Sequence, residues 1–247
     1  MTGDPWARLR AATPARIGLG RTGGAEPLGP RLDFQFAHAR ARDAVHRAVD
    51  WDRLTADLAP REVVPVASQA PDRATYLRRP DLGRRLGEGS LTRAPCDLAF
   101  VIADGLSADA VQAHAAPVIA ACEATLAGLR VGPVVTVRQG RVAIGDEIGE
   151  RLGARLVIVL VGERPGLTVA DSLGAYLTFD PRPGRRDSER NCVSNIHLKG
   201  GLDYDHAAYK IGWLAGQALA RGLTGIGLKD DAPRLAGGGT VPGLGPA

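Results

Sequence analysis

The stretch "RLVIVLVGERPGL" limits the fold more than any other part of this chain. Residues 156–162 carry no charge, so the segment has to be buried, and it breaks abruptly into Gly162-Glu163-Arg164-Pro165-Gly166. Glycine and proline punctuate the chain there, and a second apolar run, residues 173–179, follows. "CDLAFVIADGLSA" repeats the design: an apolar run that ends at Asp104-Gly105, after which Ser107 opens a helical stretch. Charged residues just beyond the end of a buried strand stand where open α/β sheets bind ligands. A solvated βα loop is the alternative for Glu163 and Arg164, because connections are ordinarily polar.

Around these runs, residues 107–129 read as a helix, "VVTVRQGRVAI" as a strand with a bend, and "GDEIGERLGA" as a short helix. "GAYLTFDP" reads as a fourth strand and residues 204–220 as a closing helix. Strands alternating with helices at this spacing predict a mostly parallel sheet covered on both faces. The fold class is therefore α/β, a Rossmann-like, mostly parallel sheet with a helical N-terminal region. The expected division is 1–95, an N-terminal arm and helices, and 96–247, the α/β domain. In the first part, Asp4 and Pro5 open a helix to about residue 12. Residues 32–58 contain neither Pro nor Gly, and Phe34, Ala37, Ala41, Val45, Ala48 and Val49 recur at helical spacing, so one long amphipathic helix is expected. In "ATYLRRPDLGRRL", Pro80 is the candidate start of a short helix.

Composition removes several functions. The formal charge is +4, but only Lys199, Lys210 and Lys229 are lysines, and the arginines are scattered among acids instead of forming a stripe for nucleic acid. Cys96, Cys122 and Cys192 form no CxxC pair, which implies neither a disulfide framework nor a zinc site and fits a reducing cytosol. No apolar stretch approaches the roughly 18 residues of a membrane span, and the N-terminus lacks the apolar core of a secretory signal.

Gly18-Leu-Gly20-Arg-Thr-Gly23 matches the dinucleotide fingerprint by letter, but no strand precedes it and no helix opens on it, so it reads as a flexible arm. His38 and His46 have no carboxylate partner that would make them metal ligands and read as surface or interface residues. Asp104 either bonds its own turn or binds a ligand. "ERNCVSNIH" packs a thiol, a hydroxyl, an amide and an imidazole together without periodicity and reads as a candidate ligand loop. Cys192 and His197 are too close along one loop to pair productively.

Five pieces, "TPARIGLGRTG", "YLRRPDLGRRL", "VIADGLSADA", "GRVAIGDEIGERLGARLVIVLVGERPGL" and "NCVSNIH", span almost the whole chain in order. Together they resemble the small-subunit family of ethanolamine ammonia-lyase, an adenosylcobalamin-dependent enzyme. The resemblance implies a hetero-oligomer in which a TIM-barrel large subunit supplies the substrate site and the small subunit clamps the cobalamin against it. Ethanolamine is converted to acetaldehyde and ammonia through radicals whose chemistry belongs to the cofactor. The family's cobalamin contacts carry over onto Val142 in "GRVAI", Glu163 in "VGERPGL" and Cys192 in "NCVSNIH", with no catalytic residue and no metal ligand in this chain. On that reading Val142 packs on the corrin or the benzimidazole, Glu163 accepts hydrogen bonds from the cofactor's amides or ribose, and Cys192 is a close contact and not a nucleophile.

The Asp-x-His-x-x-Gly run that displaces the benzimidazole is missing, which implies base-on binding. A cytoplasmic protein is implied. Some members carry a longer N-terminal extension linked to bacterial microcompartments, and the start of this chain near the shared core puts encapsulation in question. Residues 32–58 and the basic segment after them are expected to form much of the contact with the large subunit, through Arg40, Arg42, Arg47 and Arg53 of the helix and Arg78 and Arg84 of the segment. Two other functions remain open at this point: a free-standing corrinoid-binding module, and a nucleotide-dependent enzyme, against which the lack of a fingerprint after residues 96–104 counts.

Overall fold

The structure is a computed structural model that describes residues 4–13, 15–20, 23–87 and 91–233. It is an α/β fold. A six-stranded sheet has the order β1-β3-β2-β4-β5-β6, from β1 (Val63–Ala67), β2 (Cys96–Ala103), β3 (Val134–Arg138), β4 (Ala154–Gly162), β5 (Leu173–Phe179) and β6 (Asn191–Ile196). The first four in spatial order run parallel, and β5 and β6 are antiparallel additions at one edge. The helices are α1 (Ala7–Ala12), α2 (Leu28–His46), α3 (Trp51–Asp57), α4 (Arg73–Arg78), α5 (Ala108–Thr125), α6 (Ile144–Leu152) and α7 (Tyr204–Arg221).

The alternation of side chains along β2 explains the two layers. Leu98, Phe100 and Ile102 face a core shared with α3, α5 and α7, while Ala99, Val101 and Ala103 face a second core under α6. Both faces of β2 and β4 are covered, which is why these strands read as continuous apolar runs. The chain leaves β2 for α5 on one face and β3 for α6 on the other. The C-terminal ends of β2 and β3 therefore flank a crevice where successive connections part.

That crevice is filled by the protein's own groups. Asp104, buried at the end of β2, accepts from the backbone N–H of Gln139 (2.9 Å) and of Gly140 (3.0 Å) in the turn after β3. Asp104 therefore braces a neighbouring turn across the crevice, a role in addition to the two considered for it. Burial pushes its carboxyl above the usual range, against the pull of these backbone donors and of Arg73. The guanidinium carbons of Arg73 and Arg141 lie over the Tyr76 ring, 4.8 and 4.5 Å from its centre, and burial pushes the Tyr76 phenol up to about 12.

Several expected elements differ. The single helix over residues 32–58 is two helices, because residues 47–50 leave the helical path. No Pro or Gly causes the break. Tertiary bonds hold it: Arg47 pairs with Asp109 at 2.7 Å, the Asp50 N–H donates to Gln112 at 3.0 Å, and Asp50 caps α3 by accepting from the Arg53 N–H. Nor is the expected apolar face of that segment uniformly buried. Ala37 and Val49 are buried, but Phe34 and Ala48 are exposed. The helix near Pro80 is α4, which ends before it, followed by a short 3-10 turn at Leu82–Arg84. β1 was not expected, nor was β6, which is an edge strand and not a loop. The bend in "VVTVRQGRVAI" is the end of β3 at Arg138. In the glycine motif, Arg21 and Thr22 lie outside the described residues, and α2 starts only at Leu28.

Asp203 caps α7, accepting from the His206 N–H at 2.9 Å. Asp203→Ala should cost about 1 kcal/mol and lower Tm by about 2–4 °C, read by thermal denaturation with circular dichroism. An unchanged Tm would show that the packing of α7 alone holds its first turn.

Candidate cofactor-binding face

The turn after β3, the end of β4 and the edge strand β6 bring the expected site residues to one face. Glu163 follows the last residue of β4, and its N–H donates to the Ser172 carbonyl at 2.9 Å, closing the connection to β5. Its Oε2 accepts from the Ser172 hydroxyl at 2.6 Å and from the Asn195 N–H at 3.3 Å. Oε1 accepts no hydrogen bond from any described residue. The preceding residue has to be glycine. A Cβ on Gly162 would stand 2.1 Å from the Ser107 carbonyl oxygen, so the β4 end and the start of α5 approach backbone to backbone.

Tyr176 of β5 pairs directly with Cys192 of β6. A Cβ on Gly174 would meet Glu163 Oε1 at 2.9 Å and the Tyr176 ring at 3.1 Å, so carboxylate and ring flank that glycine on the same face. Val142, after β3, and Cys192 line a cavity of about 310 Å³ together with Arg84, Arg141, Ala143, Tyr176, Asp187 and Arg190. Glu163 is not among the lining residues and stands farther along the same face. Val142, Glu163 and Cys192, distant in sequence, are thus gathered around Tyr176.

Electrostatics keeps the thiol neutral. Cys192 is exposed as a residue, yet desolvation of its sulfur pushes the thiol up, with the Tyr176 hydroxyl opposing and Glu163 adding to the effect. Burial, then Cys192 and Glu163, raise the Tyr176 phenol. His197 is not a partner for Cys192. It is buried, its Nδ1 accepts from the Lys199 N–H at 3.1 Å, and its Nε2 therefore donates to Asn195 Oδ1 at 2.9 Å. Among the described residues, no group of three or more His, Cys, Asp or Glu side chains is arranged to hold a metal ion. Arg164 is exposed and makes no ion pair with a described residue, while Gly166 donates to the Val169 carbonyl at 2.8 Å and so tightens the turn.

Residues that sequence reasoning missed support the face. Asn195 sits in the left-handed region at φ 62, which aims its N–H at Glu163. Asparagine tolerates that conformation better than other non-glycine residues, and this was the available signal. From behind, the connection of residues 163–172 is pinned to α5 and α7. Ser107 Oγ donates to the Ala170 carbonyl at 2.7 Å, and His114 Nε2 donates to the Asp171 carbonyl at 3.0 Å. Because a carbonyl only accepts, His114 Nδ1 accepts from the Tyr204 hydroxyl at 2.8 Å.

The inner wall of the cavity rests on a buried ion pair. Arg190 donates both terminal nitrogens to Asp146, at 2.6 and 2.8 Å, and also reaches the Thr178 hydroxyl and the Arg185 carbonyl. Both side chains are almost fully buried. Asp146→Ala should destabilise the protein by about 3–5 kcal/mol, because an uncompensated guanidinium remains. Adding Arg190→Met should recover part of that loss. Chemical denaturation of both variants checks it, and equal stability of the single variant and the unaltered protein would mean that Arg190 finds other partners.

The fold and this face describe an α/β protein whose candidate site is an open, polar-rimmed surface with no nucleophile–base pair among its described residues. The chain is identified by the family it matches. The description "Ethanolamine ammonia-lyase light chain (EutC)" fits residues 3–229, so this chain belongs to that family. Relatives named ethanolamine ammonia-lyase small subunit include one from Bradyrhizobium diazoefficiens, 53% identical over 94% of this chain and 95% of the relative. One from Xanthomonas campestris is 52% identical over 94% and 89%. One from Pseudomonas putida is 51% identical over 93% and 89%.

Proposed function

We propose that this chain is the small subunit of an adenosylcobalamin-dependent ethanolamine ammonia-lyase and holds the cobalamin, base-on, against a large subunit that carries the substrate site. One observation carries the reading beyond family membership: Val142, Glu163 and Cys192 meet around Tyr176 on one open face.

The residues fit such a group. Glu163 Oε1 is a free acceptor farther along the face from the cavity, and the peripheral amides of a corrinoid are donors. A cavity of about 310 Å³ is at the small end for a ligand site. It suits one projecting part of a large cofactor and leaves the rest to lie across the face and against a partner. When bound, the cofactor supplies radicals by homolysis of its cobalt–carbon bond.

This chain's residues orient and shield. Glu163, already fixed by Ser172 and Asn195, presents one oriented oxygen. Val142 offers an apolar contact that excludes water. Cys192, with its raised thiol, stays protonated near neutral pH and packs without reacting. Release of acetaldehyde and ammonia then requires both subunits, and the chain is a cytoplasmic component of a hetero-oligomer; no helix among its described residues is long and apolar enough to cross a membrane.

The test is Glu163→Gln in the assembled complex. Charge makes the hydrogen bonds of the carboxylate about twice as strong as neutral ones, so cobalamin should bind on the order of tenfold more weakly, a loss of about 1–3 kcal/mol. Calorimetric titration measures it. A dissociation constant equal to that of the unaltered complex returns Glu163 to a solvated loop.

For the partner contact, α2 is the best-supported surface. Leu28, Leu32 and Phe36 recur every four residues and are 68%, 51% and 66% exposed. Exposed apolar patches of this kind mark interaction sites. Arg47 is committed to Asp109 and Arg40 lies over Phe36 at 5.8 Å, so the arginines serve as rim more than as anchors. Leu32→Asp with Phe36→Asp should leave folding intact and abolish co-purification with the large subunit. Undiminished co-purification of a folded double variant removes α2 from the interface.

A further inference from the structure

Asp104 is buried at the end of β2 and is not among the residues lining the cavity beside Val142. It is nevertheless the anion on which the connection between β3 and α6 closes. Its Oδ2 accepts from the Gln139 N–H at 2.9 Å and its Oδ1 from the Gly140 N–H at 3.0 Å. Two successive N–H groups converging on one anion form a backbone nest, a geometry that elsewhere receives an outside ligand. Here the chain's own carboxylate occupies it.

The turn depends on that anion. Gln139 stands in the left-handed region at φ 55, a conformation that is costly for a residue with a Cβ and persists only where the surroundings over-determine it. The turn's other bonds are neutral: the Tyr76 hydroxyl donates to the Gly140 carbonyl at 3.2 Å, and the Arg141 N–H donates to the Gly83 carbonyl at 2.8 Å. A charged acceptor makes its bonds about twice as strong as neutral ones, so Asp104 is the firmest hold. Arg73 Nη1 stands 3.9 Å from Asp104 Oδ2 and is itself fixed by the Gly105 carbonyl at 2.8 Å, so a cation tied to the same strand end balances the carboxylate.

The consequence lies two positions farther on. The Val142 carbonyl accepts from the Gly145 N–H at 3.1 Å, so Val142 already belongs to the entrance of α6. No side chain caps that helix. The direction in which the chain enters it, and with it the place of the Val142 side chain, is set by the turn. That turn lies hard against β2, because a Cβ on Gly140 would stand 2.9 Å from the Ala103 Cβ.

We propose that Asp104 is a positioning residue for the cofactor: it touches no part of it, and it holds the turn of residues 139–143 so that Val142 does. The inference rests on the cobalamin reading and goes beyond it, because it places a determinant of affinity in the core behind the face.

Two double-variant cycles in the assembled complex test it, read by calorimetric titration with adenosylcobalamin. Asp104→Asn keeps the size of the side chain but exchanges one acceptor for an NH2 donor, which leaves one of the two N–H groups without its partner. Val142→Ala removes two methyl groups and should weaken binding on the order of tenfold. Asp104→Asn should weaken it by about three- to tenfold, and by no more than Val142→Ala does. With Val142→Ala already present, Asp104→Asn should cost almost nothing further, because the contact it misplaces is gone. With Glu163→Gln present it should cost its full factor, since that side chain is held by Ser172 and Asn195 and not by this turn.

A folded Asp104→Asn complex with the dissociation constant of the unaltered one overturns the assignment. So does an equal loss with and without Val142→Ala, the result expected of a brace that only stiffens the fold. If Asp104→Asn does not fold, Tyr76→Phe replaces it in both cycles, since that change removes only the hydroxyl bonded to the Gly140 carbonyl. The same pattern at a smaller factor supports the positioning role, and equal losses in both backgrounds overturn it. If the unaltered complex binds no cobalamin, the cobalamin reading falls and Asp104 has no cofactor to position.

Discussion

The bidentate contact between Arg190 and Asp146 is the constraint on which the geometry of the face depends. Asp146 belongs to the first turn of α6 and Arg190 stands just before β6, while Thr178 of β5 is bonded to the same guanidinium. Three elements that meet nowhere in sequence are thereby fixed around one buried plane of charge. Such a pair adds little net stability, since desolvating both ions offsets most of their attraction. Its effect here is geometric. With α6 locked to the antiparallel edge of the sheet, Val142 at the helix entrance and Cys192 on the edge strand face the same cavity. An apolar pair of similar volume would tolerate sliding, whereas the planar fork does not.

The same logic explains why the sheet changes direction after β4. A further parallel strand would need a crossover helix on one face. The hairpin of β4 and β5 instead leaves the outer face beyond α6 uncovered, with Glu163 at the turn and Tyr176 and Cys192 across the strands. β6 is a short edge strand with a register shift against β5, and four of its six residues are not buried. The open edge carries the candidate site. The buried parallel strands supply rigidity, and the antiparallel pair supplies surface.

How much of this was legible depended on where each residue's partners lie. β2 and β4 were readable because burial on both faces leaves an unbroken apolar signature. β1 and β6 were not, for they are the two edges of the sheet. β1 carries Pro65, and its burial alternates only weakly, while β6 exposes Cys192, Ser194 and Asn195. The break between α2 and α3 left no local mark either, since Asp109 and Gln112 impose it from α5. In the site, Ser107 was readable as a cap, because that role is local. Asp104 was not, because its partners belong to the turn after another strand. Val142, Glu163 and Cys192 came from the family resemblance and not from periodicity, and no pattern in the sequence pointed to Tyr176, the residue they surround.

The connection that carries Glu163 shows how a surface loop is made rigid without being buried. Its front is closed by Ser172 and Asn195, which share one carboxylate oxygen. Its back is held across the sheet edge by Ser107 and by His114, whose tautomer is set by the Asp171 carbonyl on one side and the Tyr204 hydroxyl on the other. Burial lowers the His114 pKa, which favours the neutral ring with its one donor and one acceptor. Protonation would turn Nδ1 into a second donor, though the Tyr204 hydroxyl can rotate to accept in its place. The anchor therefore survives a change of charge on the ring. What it cannot survive is separation of α5 from α7, because His114 and Tyr204 come from different helices. The orientation of the free Glu163 oxygen at the front of the sheet is thus tied to the packing of two helices behind it. A carboxylate that looks like part of an ordinary turn in the sequence is held by the core of the protein.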